Sequence, residues 1–63
     1  MTFEEAREHA RNNVKITHEY FTKDEYITMI GNLIIFEDGV KIHAKDWMEG
    51  KNYLNDGWEL YVA

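Results

Sequence analysis

The chain has no cysteine and no serine, only four glycines, and 7 basic residues against 12 acidic ones. Each shortage closes a class of function. Without cysteine there is no disulfide and no thiolate zinc site, and nothing signals an oxidising compartment. Without serine or cysteine the common pairs of nucleophile and histidine base cannot be assembled, and threonine substitutes only with an activating base. No glycine-rich phosphate loop is present. No segment reaches the roughly 18 consecutive apolar residues of a membrane span. The start, MTFEEAREHA, lacks the basic-then-apolar order of a secretory signal, so a soluble, cytoplasmic protein with no membrane partner is expected. The net charge of −5 disfavours nucleic acid as a partner, because that contact depends on Lys and Arg neutralising phosphates. The acids are spread along the chain and read as solvated surface. The alternative is a small acidic inhibitor that docks directly on an enzyme, with imitation of DNA as one means.

The remaining titratable groups do not converge in sequence. His9, His18 and His43 fall on a helix and two different strands with no metal-ligand spacing, so no metal site is expected. Glu4-Glu5, Asp24-Glu25 and Glu37-Asp38 are neighbours placed in caps and turns, where solvated acids are the ordinary reading. Neither catalytic residues nor a cofactor is expected, and the chain reads as a non-enzyme.

What is present is a dense β-forming stretch over residues 26–44. Gly31-Asn32 and Asp38-Gly39 divide it into three strands, and two-residue loops would pair Ile30 with Leu33, Thr28 with Ile35, Ile35 with Ile42 and Leu33 with Ala44. One face then carries Tyr26, Thr28, Ile30, Leu33, Ile35, Val40, Ile42 and Ala44. The other carries Ile27, Met29, Ile34, Phe36, Lys41 and His43. Both faces are apolar, where a half-solvated sheet should alternate, so a second cover is expected from self-association. Ile27, Met29, Ile34 and Phe36 are the expected interface between copies.

Around this stretch, Thr2-Phe3-Glu4-Glu5 reads as a capping box that starts a helix over residues 3–12, ended by Asn12-Asn13. Its stripe of Phe3, Ala6 and Ala10 is expected to lie on Ile30, Ile35 and Ile42. Residues 14–20 alternate as a first strand, and residues 45–52 read as a loop with at most one helical turn near 52–55. Residues 58–62 form the last strand after the turn Asn55-Asp56-Gly57. The expectation is one α+β domain over residues 1–63, an N-terminal helix on an antiparallel sheet of about five strands. A domain of this size hides only about 60% of its unfolded surface, and oligomerisation is the staple left to it.

Aromatic residues make up 14% of the chain, several of them at loop edges. Beside Asn52, Asn55, Asp56 and His18 they would suit a planar polar ligand such as a nucleobase; core filling and packing between copies is the plainer reading.

Three motifs together resemble a phage family, the small domain associated with Thoeris anti-defence protein two. They are the opening Phe3-Glu4-Glu5-Ala6, the strand Ile16-Thr17-His18-Glu19-Tyr20-Phe21, and the closing Asn52-Tyr53-Leu54-Asn55-Asp56-Gly57-Trp58-Glu59. His18 stands where that pattern has Arg, Phe21 where it has Trp, and Gly57 where it has an acid. The resemblance implies a homotetrameric sponge of the host cytoplasm that sequesters a cyclic nucleotide signalling molecule without cleaving it. The ligand would be a cyclic ADP-ribose isomer or a cyclic oligonucleotide, held between subunits. On that pattern Phe21 and Trp58 would stack the base, Asn55 and Asp56 would hold ribose hydroxyls, and Lys15 would meet the phosphates. His18, Tyr20 and Trp47 complete the expected ligand-binding set.

Overall fold

The computed structural model describes residues 1–62. It begins with α1, Phe3–Arg11, at a capping box: the Thr2 hydroxyl accepts the Glu5 N–H at 3.2 Å while the Glu5 carboxylate accepts the Thr2 N–H at 3.0 Å. Asn13, at φ 65°, takes the left-handed conformation that ends the helix. Five strands follow: β1 (Ile16–His18), β2 (Ile27–Ile30), β3 (Leu33–Phe36), β4 (Lys41–His43) and β5 (Trp58–Leu60). They form one antiparallel sheet in the order β4-β3-β2-β1-β5, so the last strand returns beside the first. The class is α+β, as the residue pattern implies. No helix among the described residues is long and apolar enough to cross a membrane.

The segment expected to be a loop contains a second helix. Residues Ala44–Met48 form α2, and Asn52–Leu54 form a 3-10 turn where the single helical turn was expected. Ala44, Trp47 and Met48 lie on one side of α2 at helical spacing and join the core or pack against it. That spacing is legible within five residues only once the preceding strand is known to end at His43.

The β2–β3 hairpin has the expected register, with Ile30 opposite Leu33 and Thr28 opposite Ile35. The β3–β4 hairpin does not. Its loop has three residues, Glu37, Asp38 and Gly39, closed by Gly39 N–H to the Phe36 carbonyl and Phe36 N–H to the Val40 carbonyl, both at 2.9 Å. A type I′ turn would need positive φ at Asp38 as well, whereas only Gly39 is left-handed, at 89°. The Asp38 carboxylate instead accepts the Val40 N–H at 3.1 Å, and the extra residue pairs Ile34 with Ile42 and Leu33 with His43. A slip of one residue turns every β4 side chain over. Ile42 therefore joins the face of Ile34, and Lys41 and His43 join the face of Leu33 and Ile35.

The second correction concerns the face that the helix covers. Phe3, Ala6 and Ala10 pack with Ile16, Ile27, Met29, Ile34, Ala44, Leu54 and Trp58 in one core. The helix thus lies on the Ile27, Met29 and Ile34 face, not on Ile30, Ile35 and Ile42. The outer strands decide this. Pairing of Ile16 with Ile27 and of His18 with Trp58 continues the same face as apolar across β1 and β5. The opposite face continues instead into Thr17 and Glu59. Ile34 is completely buried inside the protomer and so is not an interface residue. The open face is the one bearing Thr28, Ile30, Leu33 and Ile35, where Ile30 remains 64% exposed.

Candidate functional site

The residues expected to hold a ligand fall into three groups. His18 and Trp58 are buried, at 3% and 1% exposure. The Trp58 indole N–H donates to the Leu54 carbonyl at 2.6 Å, and its ring is hemmed in by Phe3, His18, Phe21 and Trp47 at centroid distances of 5.0–6.3 Å. Neither face of Trp58 is open to a base, so its role in this chain is the core. Phe21 and Trp47 are half-buried members of the same aromatic cluster, Phe21 standing edge-on to both tryptophans.

Lys15 and Tyr20 lie elsewhere. The Lys15 ammonium sits 4.6 Å above the Tyr26 ring, which in turn packs against Tyr61 at 4.8 Å. Tyr20 is 67% exposed and leans on His18 and Tyr53. A small open groove of about 380 Å³ is lined by His18, Phe21, Lys23, Glu59 and Tyr61 among others, which places Phe21 at its wall.

Asn55 and Asp56 mark the third group. Asp56 belongs to the turn into β5: its carbonyl meets His18 Nε2 at 2.6 Å and its carboxylate caps the Gly57 N–H at 2.8 Å. Gly57 is required there. Its φ is 92°, and a Cβ would stand 3.0 Å from His18 Nε2. Asn55 lines a different and larger concavity, a cleft of about 540 Å³ between α1 and the segment joining β4 to α2.

Four hydrogen bonds build that cleft. The Phe3 N–H donates to the Asn55 carbonyl at 2.9 Å and ties the start of α1 to the end of the 3-10 turn. The Ala44 N–H donates to the Asn32 carbonyl at 2.8 Å and seats α2 beside the β2–β3 turn. Arg11 closes the frame, donating to the Gly31 carbonyl at 3.3 Å and to Asn32 Oδ1 at 3.0 Å. Because a guanidinium only donates, the oxygen of the Asn32 amide faces Arg11 and its NH2 remains as a donor. Phe3, Ala44 and Met48 supply apolar wall, while Arg7, His43, Lys45, Asn32 and Asn55 supply polar groups. Glu4 is the one carboxylate in the lining, and it pairs with Arg7. In a chain of net charge −5 the cleft concentrates basic groups, which suits an anionic ligand.

The sequence reading found Asn55 and missed Arg7, His43, Lys45 and Asn32. Nothing in the sequence marks Arg7 among the charged residues of α1, and Lys45 comes near α1 only because residues 44–48 are helical and not a loop. Among the described residues no group of three or more His, Cys, Asp or Glu is placed to hold a metal. No protein-family model, curated protein or solved structure matches this chain. The fold and cleft define a small α+β protein with a basic, amide-lined concavity.

Proposed function

We propose that this protein is a phage-type anti-defence sponge: it binds a nucleotide immune second messenger, a cyclic ADP-ribose isomer or a cyclic oligonucleotide, and withholds it uncleaved in the host cytoplasm. The observation that carries the reading is the lining of the 540 Å³ cleft. Phosphates call for the cations Arg7 and Lys45. Base edges and ribose hydroxyls call for groups that both donate and accept, as Asn32 and Asn55 do, and a ring calls for apolar wall such as Phe3 and Met48. The resemblance over residues 3–6, 16–21 and 52–59 supports the same reading, and Asn55 belongs to both the resembled motif and the cleft.

Assembly is part of the proposal. A protomer with an apolar stripe of Thr28, Ile30, Leu33 and Ile35 on its open sheet face gains by covering it with a second copy, and a homotetramer follows if a further surface pairs the dimers.

The test is depletion and recovery. Excess protein is dialysed against a panel of cyclic nucleotides, then heated, and the released nucleotide is identified by mass spectrometry. Recovery of intact ligand is expected, with Lys45→Glu weakening retention about tenfold (~1.4 kcal/mol) and Lys23→Glu, in the other groove, leaving it unchanged. Failure to deplete any nucleotide overturns the reading, and recovery of hydrolysed product assigns an enzyme instead.

A further inference from the structure

Arg7 is the one guanidinium in the cleft lining, and its hydrogen bonding is incomplete. One Nη donates to the Glu4 carboxylate, three residues earlier on the same helix. Its Nε is buried and has no hydrogen-bond partner among the described residues. A buried N–H without an acceptor is costly, and the Nε–Nη edge of a guanidinium is the edge that matches two oxygens of one phosphate. The Glu4 side chain, by contrast, is 74% exposed, and an exposed ion pair of this spacing is weak. A weak, single-pronged carboxylate contact therefore holds a group whose stronger, two-pronged partner would be a phosphate.

From this we propose that Arg7 is the phosphate-binding residue of the cleft and that Glu4 is an internal competitor, an acidic latch that the phosphate of an incoming nucleotide displaces. The proposal rests on the reading of the cleft as an anion site and adds how that site is regulated. On displacement the guanidinium turns its Nε–Nη edge to the phosphate, Lys45 completes the charge, and Glu4 is released to solvent. The latch raises the threshold for every anion, because each must first displace Glu4 from Arg7.

The two residues are well placed to be tested separately from folding. The capping box uses Thr2 and Glu5, so Glu4→Gln leaves the helix start intact. Pyrophosphate serves as the ligand, with titration followed by calorimetry and by amide NMR shifts of Asn32, Lys45 and Asn55. Glu4→Gln is expected to bind about two- to fivefold tighter than the unmodified chain, the worth of an exposed ion pair. Glu37→Gln removes the same charge from the β3–β4 loop and should change nothing. Arg7→Gln should bind about tenfold weaker or worse, and Arg7→Lys should stay well below the unmodified chain because it keeps the charge and loses the fork. The double variant, Glu4→Gln with Arg7→Gln, should bind no better than Arg7→Gln alone. A Glu4→Gln affinity equal to or below that of the unmodified chain overturns the latch, as does a gain that survives in the double variant or appears equally with Glu37→Gln. Pyrophosphate that shifts no cleft amide in any variant overturns the anion site itself, and the latch with it, whereas shifts with no gain on Glu4→Gln remove the latch alone.

Discussion

His18 and Asp56, 38 residues apart in the chain, meet where the imidazole Nε2 stands 2.6 Å from the Asp56 carbonyl. The other ring nitrogen, Nδ1, accepts the Tyr20 N–H at 3.0 Å and so carries no proton. Nε2 must then be the protonated nitrogen and the donor. A neutral imidazole in this tautomer joins β1 to the turn before β5, wedged edge-on against Trp58 at 5.0 Å. Long-range nitrogen–proton NMR should report the Nε2–H tautomer; an Nδ1–H tautomer would remove the account. His18→Leu keeps apolar volume but strands both partners, at about 1–3 kcal/mol. Thermal melting should fall by about 4–8 °C for each kcal/mol.

Isoleucines on the two sheet faces should behave in opposite ways. Ile34 is fully buried, so Ile34→Asp places an unpaired charge in the protomer core and should unfold it. Ile30 is 64% exposed on the open face, so Ile30→Asp should leave a folded chain and abolish the proposed pairing of copies. Light scattering and circular dichroism on the two variants test this directly. A folded, stable monomer for the unmodified chain at micromolar concentration would refute assembly through this face.

Phe21→Ala separates stacking from packing. Phe21 stands edge-on to Trp58 at 5.5 Å and Trp47 at 6.4 Å, and it is outside the cleft. Loss of a half-buried aromatic from this cluster should cost about 1.5–3 kcal/mol and lower the melting temperature. Nucleotide affinity, measured by calorimetric titration on the folded protein, should stay within about twofold. A loss of affinity without a change in melting would return the ligand to Phe21.

Glu5 gives a pH signature. Hydrogen bonds from the Thr2 backbone N–H, and then from the Thr2 hydroxyl, hold its carboxyl below the ordinary value of 4.5. A carboxylate with a depressed folded-state pKa stabilises the fold above the unfolded value and loses that contribution as pH falls through the folded one. The melting temperatures of the unmodified chain and Glu5→Gln should therefore differ most above pH 4.5 and converge on acidification below it. Curves that run parallel through that range would show that the capping box contributes no linked stability.

Local chemistry in the sequence determined much of this protein. Thr2 and Glu5 fixed the start of α1, Asn13 its end, Gly31-Asn32 the first hairpin register, and Asp56-Gly57 the entry to β5, because each depends on residues within four positions of one another. The α+β class and the five strands follow from those signals with the period-two pattern. Tertiary structure decided which face of the meander the helix covers. Residues 26–44 are apolar on both sides, and only pairing with β1 and β5 makes one side continuous through Ile16, His18 and Trp58. It also decided the β3–β4 register, where Asp38 capping Val40 won over a two-residue turn and carried Lys41 and His43 to the open face. The cleft belongs wholly to that second kind. Arg7, Asn32, Lys45 and Asn55 come from four separate segments, brought together by hydrogen bonds between elements remote in sequence. A contact of that range leaves no period or spacing in the chain to be read.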